Sequence, residues 1–147
     1  MNEIRIQRED FDPGAEIAAL GETRGHVGAI ASFVGLVRSD GGLVAMTLDH
    51  YPGFAEREIS LHVAEVKKRW PLLGVRIVHR VGRLTPGERI VFVGAASSHR
   101  QAAFEAAEFL MDYLKTRAPF WKLEERPTGA TWVEARSEDD QSVKRWR

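Results

Sequence analysis

The stretch Ser97–Glu124, SSHRQAAFEAAEFLMDYLKTRAPFWKLE, decides how the rest of the 147-residue chain is read. Gln101, Glu105, Glu108, Asp112 and Lys115 recur at spacings of 4, 3, 4 and 3, a narrow polar stripe on an otherwise apolar cylinder. Such a helix packs on most of its circumference. Ser98 followed three residues later by Gln101 has capping-box spacing, which puts His99 and Arg100 in the first turn. Pro119 disfavours helical backbone at Ala118, so the helix is expected to end near Lys115 to Arg117, with Phe120-Trp121-Lys122 opening a strand or loop.

Both ends of this helix carry chemistry. A cation in a first turn opposes the helix dipole at a cost of about 0.3–1 kcal/mol, a cost that an incoming anion reverses. Arg100, His99, the first-turn N–H groups and the hydroxyls of Ser97 and Ser98 therefore describe a phosphate or carboxylate site, or equally a solvated arginine beside an ordinary cap. At the other end, Lys115 complements the dipole and Lys122 has room to lie along Trp121, so neither lysine alone implies catalysis.

Working outward, Arg89–Ala96 and Arg76–Leu84 are expected to be two strands joined by Thr85-Pro86-Gly87-Glu88, a type II turn delivering the chain to Ser97. His79 falls within strand periodicity, and no metal-ligand spacing surrounds it, so no metal is assigned. Gly28–Val37 is apolar on both faces, which predicts a central strand, with Arg38 at its end as either a solvated terminus or a ligand clamp. Leu43–Leu48 is expected to pair with it through Ser39-Asp40-Gly41-Gly42. Phe54–Trp70 carries Ala55, Ile59, Val63, Val66 and Trp70 on one helical stripe, with His62 near it in a structural place. A short edge strand around Ile4 and Ile6, a short helix from Asp12-Pro13 to Gly21, and closing strands at Trp121–Arg126 and Ala130–Ala135 complete the reading. Ser137–Arg147 is a charged tail or a short helix. Hairpins rather than βαβ spacing point to an α+β fold with a mainly antiparallel sheet and two main helices.

Length predicts one domain across residues 1–147. Twenty-one basic and 21 acidic residues cancel, which disfavours nucleic acid or an anionic membrane as a partner and makes any anion site local. The longest apolar run is too short to span a bilayer and Met1–Arg5 does not open a signal peptide, so a cytoplasmic location is expected. With no cysteine, the chain has no disulfide, no thiolate metal site and no persulfide. Only five lysines occur, and two of them, Lys115 and Lys122, flank the Pro119 break.

Several segments together resemble the catalytic large subunit of molybdopterin synthase, the MoaE family. They are Phe33-Val34-Gly35-Leu36-Val37-Arg38, Leu48-Asp49-His50-Tyr51-Pro52-Gly53, Val78-His79-Arg80-Val81-Gly82, Ser98-His99-Arg100, the run Met111–Lys122, and Trp132-Val133-Glu134-Ala135. The resemblance implies an α/β hammerhead fold and conversion of cyclic pyranopterin monophosphate (precursor Z) to molybdopterin by insertion of two dithiolene sulfurs. It implies no cofactor. It implies as partners a second copy and a small ubiquitin-like sulfur-carrier subunit of MoaD type, whose C-terminal Gly-Gly ends in a thiocarboxylate, in a heterotetramer built on the homodimer. By matching position it implies Lys115 and Lys122 as catalytic, with Leu36, Val37, Arg38, His99, Arg100, Leu123 and Glu124 beside them at the substrate. The chain departs from the family at Leu36 and Leu123, where members often carry a basic residue.

A different class remains open on residues alone: a phosphate-ligand binding or regulatory module using the same anion site without turnover. Such a module needs the arginines and tolerates loss of Lys115 and Lys122.

Overall fold

The computed structural model describes residues 2–22, 25–116, 120–133 and 144–146. The chain runs β1 (Asn2–Gln7), α1 (Pro13–Leu20), β2 (Ala29–Leu36), a 3-10 turn (Asp40–Gly42), β3 (Ala45–His50), α2 (Phe54–Arg69), β4 (Leu72–Arg80), β5 (Gly82–Leu84), β6 (Arg89–Ser97), α3 (Arg100–Thr116), β7 (Phe120–Arg126) and β8 (Gly129–Val133). The strands form two sheets, ordered β1-β4-β6-β2 and β5-β3-β7-β8. Only β1 with β4 is parallel, so the α+β, mainly antiparallel expectation holds, divided between two sheets.

The core is built on β6, buried from Val91 to Ser97. Strand alternation sends Val91, Val93 and Ala95 towards α2 and α3, where they meet Val63, Val66, Ala106 and Phe109. Phe92 and Ala96 face the other way, against Phe11 and Leu20 beside α1. Fully burying side chains such as Phe92 or Phe109 contributes about 1.5–3 kcal/mol each, so this strand anchors the fold. Gly94 is required by closeness: a Cβ there would lie 2.5 Å from Leu20 Cδ1.

Three strand assignments change. The segment expected to be central is an edge, because β2 pairs with β6 alone. Ala29 and Ala31 pack on the α3 side and Ile30 and Val34 on the α1 side, yet Phe33 and Leu36 stay 41% and 52% exposed. Apolar pattern reports which faces are covered and is silent about hydrogen-bonding neighbours. Likewise β3 pairs with β5 and β7 rather than β2. Gly41 and Gly42, at φ 61° and 76°, turn the chain into the second sheet, a backbone course that two glycines tolerate. Finally, the expected strand Arg76–Leu84 is two strands. Gly82, at φ 94°, breaks it, and β5 crosses to pair with β3 before the turn returns the chain to β6. That turn has the expected form, with Glu88 N–H donating to Thr85 O at 3.1 Å and Gly87 at φ 92°.

Asp12 caps α1 through Gly14 N–H, and Ala55, Ile59, Val63 and Val66 bury the expected stripe of α2. His62 lies 4.5 Å from Tyr113, ring to ring. The capping box expected at Ser98 is absent: the Gln101 amide donates forward to Glu105 (3.0 Å), and Ser98 Oγ donates to His26 O. The polar stripe of α3 has structural partners. Trp70 Nε1 donates to Glu105, Arg145 bridges Glu108 and Asp112, and Trp146 donates to Asp112 while its ring packs on Trp70 and Phe109. The end of the expected tail thus docks along α2 and α3. The last described helical residue, Thr116, falls within the expected end of Lys115 to Arg117, while Arg117 itself, the expected strand end at Ala135 and the rest of the tail lie outside the described residues.

Candidate active site

Three elements converge on one cavity of about 780 Å³: the end of β2 with Arg38 beyond it, the last turn of α3, and β7. On α3 the spacing i, i+3, i+4 puts Met111, Leu114 and Lys115 on its wall. On β7 the period of two presents Phe120, Lys122, Glu124 and Arg126 together, with Trp121 also at the lining. The apolar part comes from Phe33, Leu36, Met46, Leu48 and Trp132. Among the described residues, Arg38, Lys115, Lys122 and Arg126 against Asp40 and Glu124 leave a formal excess of two positive charges at the cavity of a chain whose total is zero. The anion-attracting character is local.

Some of these charges are already directed. Arg38 pairs with Asp40 at 3.2 Å on the surface. Arg126 pairs with Glu124 at 3.1 Å, and its Nε donates to Gly41 O at 3.2 Å, clipping the 3-10 turn to β7. Thr116 Oγ1 donates to Asp112 O at 2.8 Å within the last turn of α3.

Of the residues singled out in the sequence, Leu36, Arg38, Lys115, Lys122 and Glu124 line the cavity. Val37 does not: its side chain is buried with Leu43, Met46, Leu48 and Leu84, and its N–H and C=O are engaged by Glu88 O and Gly87 N–H. Leu123 falls on the opposite face of β7 from Lys122. His99 and Arg100 are exposed at the far end of α3, about 22 Å along its axis from Lys115 at 1.5 Å per residue. Within one chain they do not reach the cavity. Of the hydroxyls expected there, Ser97 Oγ donates to Pro71 O at 2.7 Å.

Sequence reasoning gave His79 no role beyond excluding it as a metal ligand, yet it lines the cavity although its residue is only 7% exposed. Its ring stacks on Phe120 with centroids 3.9 Å apart and 10° between planes. Nδ1 lies 2.9 Å from Arg80 O, an acceptor, so Nδ1 carries the proton and Nε2 is bare. Burial, reinforced by the charges of Lys115 and His50, holds its pKa at about 4 despite that bond, so the ring is neutral at pH 7. A histidine on the same strand face as the apolar Val75 and Ile77 was the available signal. Arg126 was also missed, although strand alternation from Lys122 through Glu124 reaches it, and so was Trp132, which only the tertiary arrangement brings to the wall.

Among the described residues no three His, Cys, Asp or Glu side chains cluster as a metal site, and no helix is long and apolar enough to cross a membrane.

A family model described as MoaE protein matches residues 6–117. The "Molybdopterin synthase catalytic subunit" of Mesorhizobium japonicum is 59% identical over 98% of this chain and 92% of its own length. The protein of the same name from Pseudomonas aeruginosa is 54% identical over 97% of each. Among solved structures, "Molybdopterin biosynthesis MoaE protein from Burkholderia ambifaria MC40-6" superposes with a TM-score of 0.87 at 53% identity, over 99% of this chain and 98% of that one.

Proposed function

This chain belongs to the MoaE family, and we propose that it is the catalytic subunit of a molybdopterin synthase, a sulfurtransferase that converts precursor Z to molybdopterin. The observation that carries the reading is the convergence of Arg38, Lys115 and Lys122 on one cavity in a chain whose net charge is zero. The chemistry needs that arrangement. Substrate phosphate and an incoming thiocarboxylate are both anions, and both must be held while charge develops at the reacting carbons.

Sulfur comes from outside this chain, which has no cysteine to carry it. A small ubiquitin-like subunit presents a C-terminal Gly-Gly thiocarboxylate, slim and extended enough to enter beside Phe120 and Trp121. Lys115 and Lys122 act at the reacting carbons, one ammonium stabilising developing negative charge and one amine moving protons. Arg38 holds the phosphate end.

His99 and Arg100 join that phosphate end from a second copy. β2 is an edge strand whose outer side has no strand neighbour among the described residues, and its Ala29 end lies against Ser97 while its Leu36 end opens on the cavity. Antiparallel pairing of two copies along β2 sets the α3 start of one beside Leu36 and Arg38 of the other, and covers Phe33 and Leu36.

The test is incubation of the purified protein with precursor Z and the thiocarboxylated partner, following dithiolene product. Product that depends on both lysines is expected. Tight binding without product, unchanged by Lys115→Ala and Lys122→Ala, returns the chain to the class of binding modules.

A further inference from the structure

The two lysines stand on different elements, α3 and β7, in a fold whose sheets pair no strands with one another. The short connection from Thr116 to Phe120 limits their separation, and side-chain packing between the sheets fixes it within that limit. At the cavity wall Ile90 of β6 packs on the cluster that holds Met46 and Leu48 of β3, and a ring stack makes a second bridge: His79 of β4, in the first sheet, lies face to face on Phe120 of β7, in the second, at 3.9 Å and 10°. Phe120 is the first residue of β7 and stands two residues before Lys122, on the same strand face.

His79 is itself fixed from behind. Its Nδ1 donates to Arg80 O, and Arg80 is buried with its guanidinium donating to Arg8 O (3.0 Å) and Arg89 O (3.1 Å) and paired with Glu88 (3.3 Å). From β3, the His50 ring tilts against Phe120 at 6.1 Å. Phe120 thus stacks on an imidazole anchored in the core of the first sheet, with a second imidazole nearby.

We propose that His79 is a positioning residue for sulfur transfer: clamped on Phe120, it fixes where β7 begins relative to α3 and so brings Lys122 and Lys115 to bear on the same substrate carbons. This rests on the proposed synthase reading. The ring meets no reacting atom in this role; it acts through Phe120. A neutral ring is also what the place demands, since Lys115 of α3 and His50 of β3 are the titratable groups facing it and an imidazolium would repel the cation on Lys115.

Two substitutions separate positioning from bulk. His79→Leu fills a similar volume without a face to stack, and His79→Phe keeps the stack while losing the Nδ1 bond. With precursor Z and the thiocarboxylated partner, His79→Leu is expected to lower kcat at least about tenfold with KM within about twofold, because small displacements of reacting groups cost rate rather than binding. His79→Phe recovers kcat to within about threefold of wild type. Wild-type kcat in His79→Leu, a loss confined to KM, or a His79→Phe variant as slow as His79→Leu overturns the proposal. Should His79→Leu not fold, Phe120→Leu removes the other ring and is held to the same kcat criterion. A wild-type protein that makes no product refutes the synthase reading instead. Positioning is then read from acylation rates of Lys115 and Lys122, which must shift in His79→Leu against Lys68 as reference, and unchanged rates overturn it.

Discussion

Pairing Arg100→Ala with Lys115→Ala in one dimer separates a site built by one chain from a site built by two. The two residues stand about 22 Å apart along α3 in each chain, so if both act on one small substrate they belong to different subunits. Alone, each variant is expected to be slow. Lys115→Ala removes a positioned acid or base, worth at least about 10²-fold, and Arg100→Ala removes a charged hydrogen bond of about 1.5–3 kcal/mol, roughly 10- to 150-fold. In a mixed dimer one site combines intact Lys115 from the first chain with intact Arg100 from the second, and the other site lacks both. Random exchange makes half the dimers mixed, each with one good site of two, so about one quarter of wild-type activity should return from two nearly dead parents. The assay is dithiolene formation from precursor Z after the variants are mixed and exchanged, with native mass spectrometry counting mixed dimers. If mixed dimers form and activity stays at the sum of the parents, the composite site is wrong.

Lys122→Ala should cost at least about 10²-fold in kcat while leaving Tm within a few degrees, since the side chain lines a cavity rather than the core; a near-wild-type rate in steady-state assays would remove Lys122 from the mechanism. Gly94→Ala puts a Cβ 2.5 Å from Leu20 Cδ1 and 2.9 Å from Phe92 Cε1, and overpacking of this kind costs about 1–3 kcal/mol, read as a Tm several degrees lower by calorimetry. Stability should also fall from pH 7 towards pH 4: unfolded His79 takes up a proton near 6.5, whereas the folded ring resists until about 4, so His79→Phe should flatten that part of the Tm profile. Below that window Glu16 takes over. Burial works against its charge, but the bonds from Arg5 and Arg76 prevail and hold its carboxyl below the usual value, so its contribution is present above 4.5 and lost as pH falls through the folded value. Glu16→Gln should therefore lower Tm at neutral pH and lessen the further loss in acid.

Features resting on local periodicity were legible in the sequence. The α3 helix, the α2 stripe, the turn at Pro86-Gly87 and the strand after Pro119 each follow from the spacing of apolar residues and from backbone preferences, and all four are in the structure. Lys115 and Lys122 could be singled out because scarcity and position put them on either side of one break. What stayed hidden is non-local. Nothing in Gly28–Val37 says which of its edges lacks a neighbour, because both of its faces are apolar in either case. Nothing in Leu43–Leu48 names β7 as its partner, since that strand lies about 75 residues further on and only closure of the second sheet brings the two together. His79 was read for metal spacing along the chain, while its significance lies across the sheets in Phe120.

The length of α3 ties the fold to the assembly. A sphere of the cavity's 780 Å³ would be roughly 11 Å across, whereas Arg100 stands about 22 Å from Lys115 on a rigid rod, with His99 just before it. No rotamer of an arginine spans the difference. Either the two ends of the helix serve separate purposes or each completes a site in a different molecule. Edge strand β2 favours the second, because it is antiparallel to β6: the end of β2 beside the helix start is the end remote from the cavity. A twofold axis across that edge exchanges the two ends. In the proposed dimer, the symmetry that covers Phe33 and Leu36 would also carry His99 and Arg100 to the neighbour's Arg38. On this geometry, burial of an apolar edge and completion of the anion site are one event, and a protomer held apart should keep its lysines in place yet bind substrate phosphate poorly.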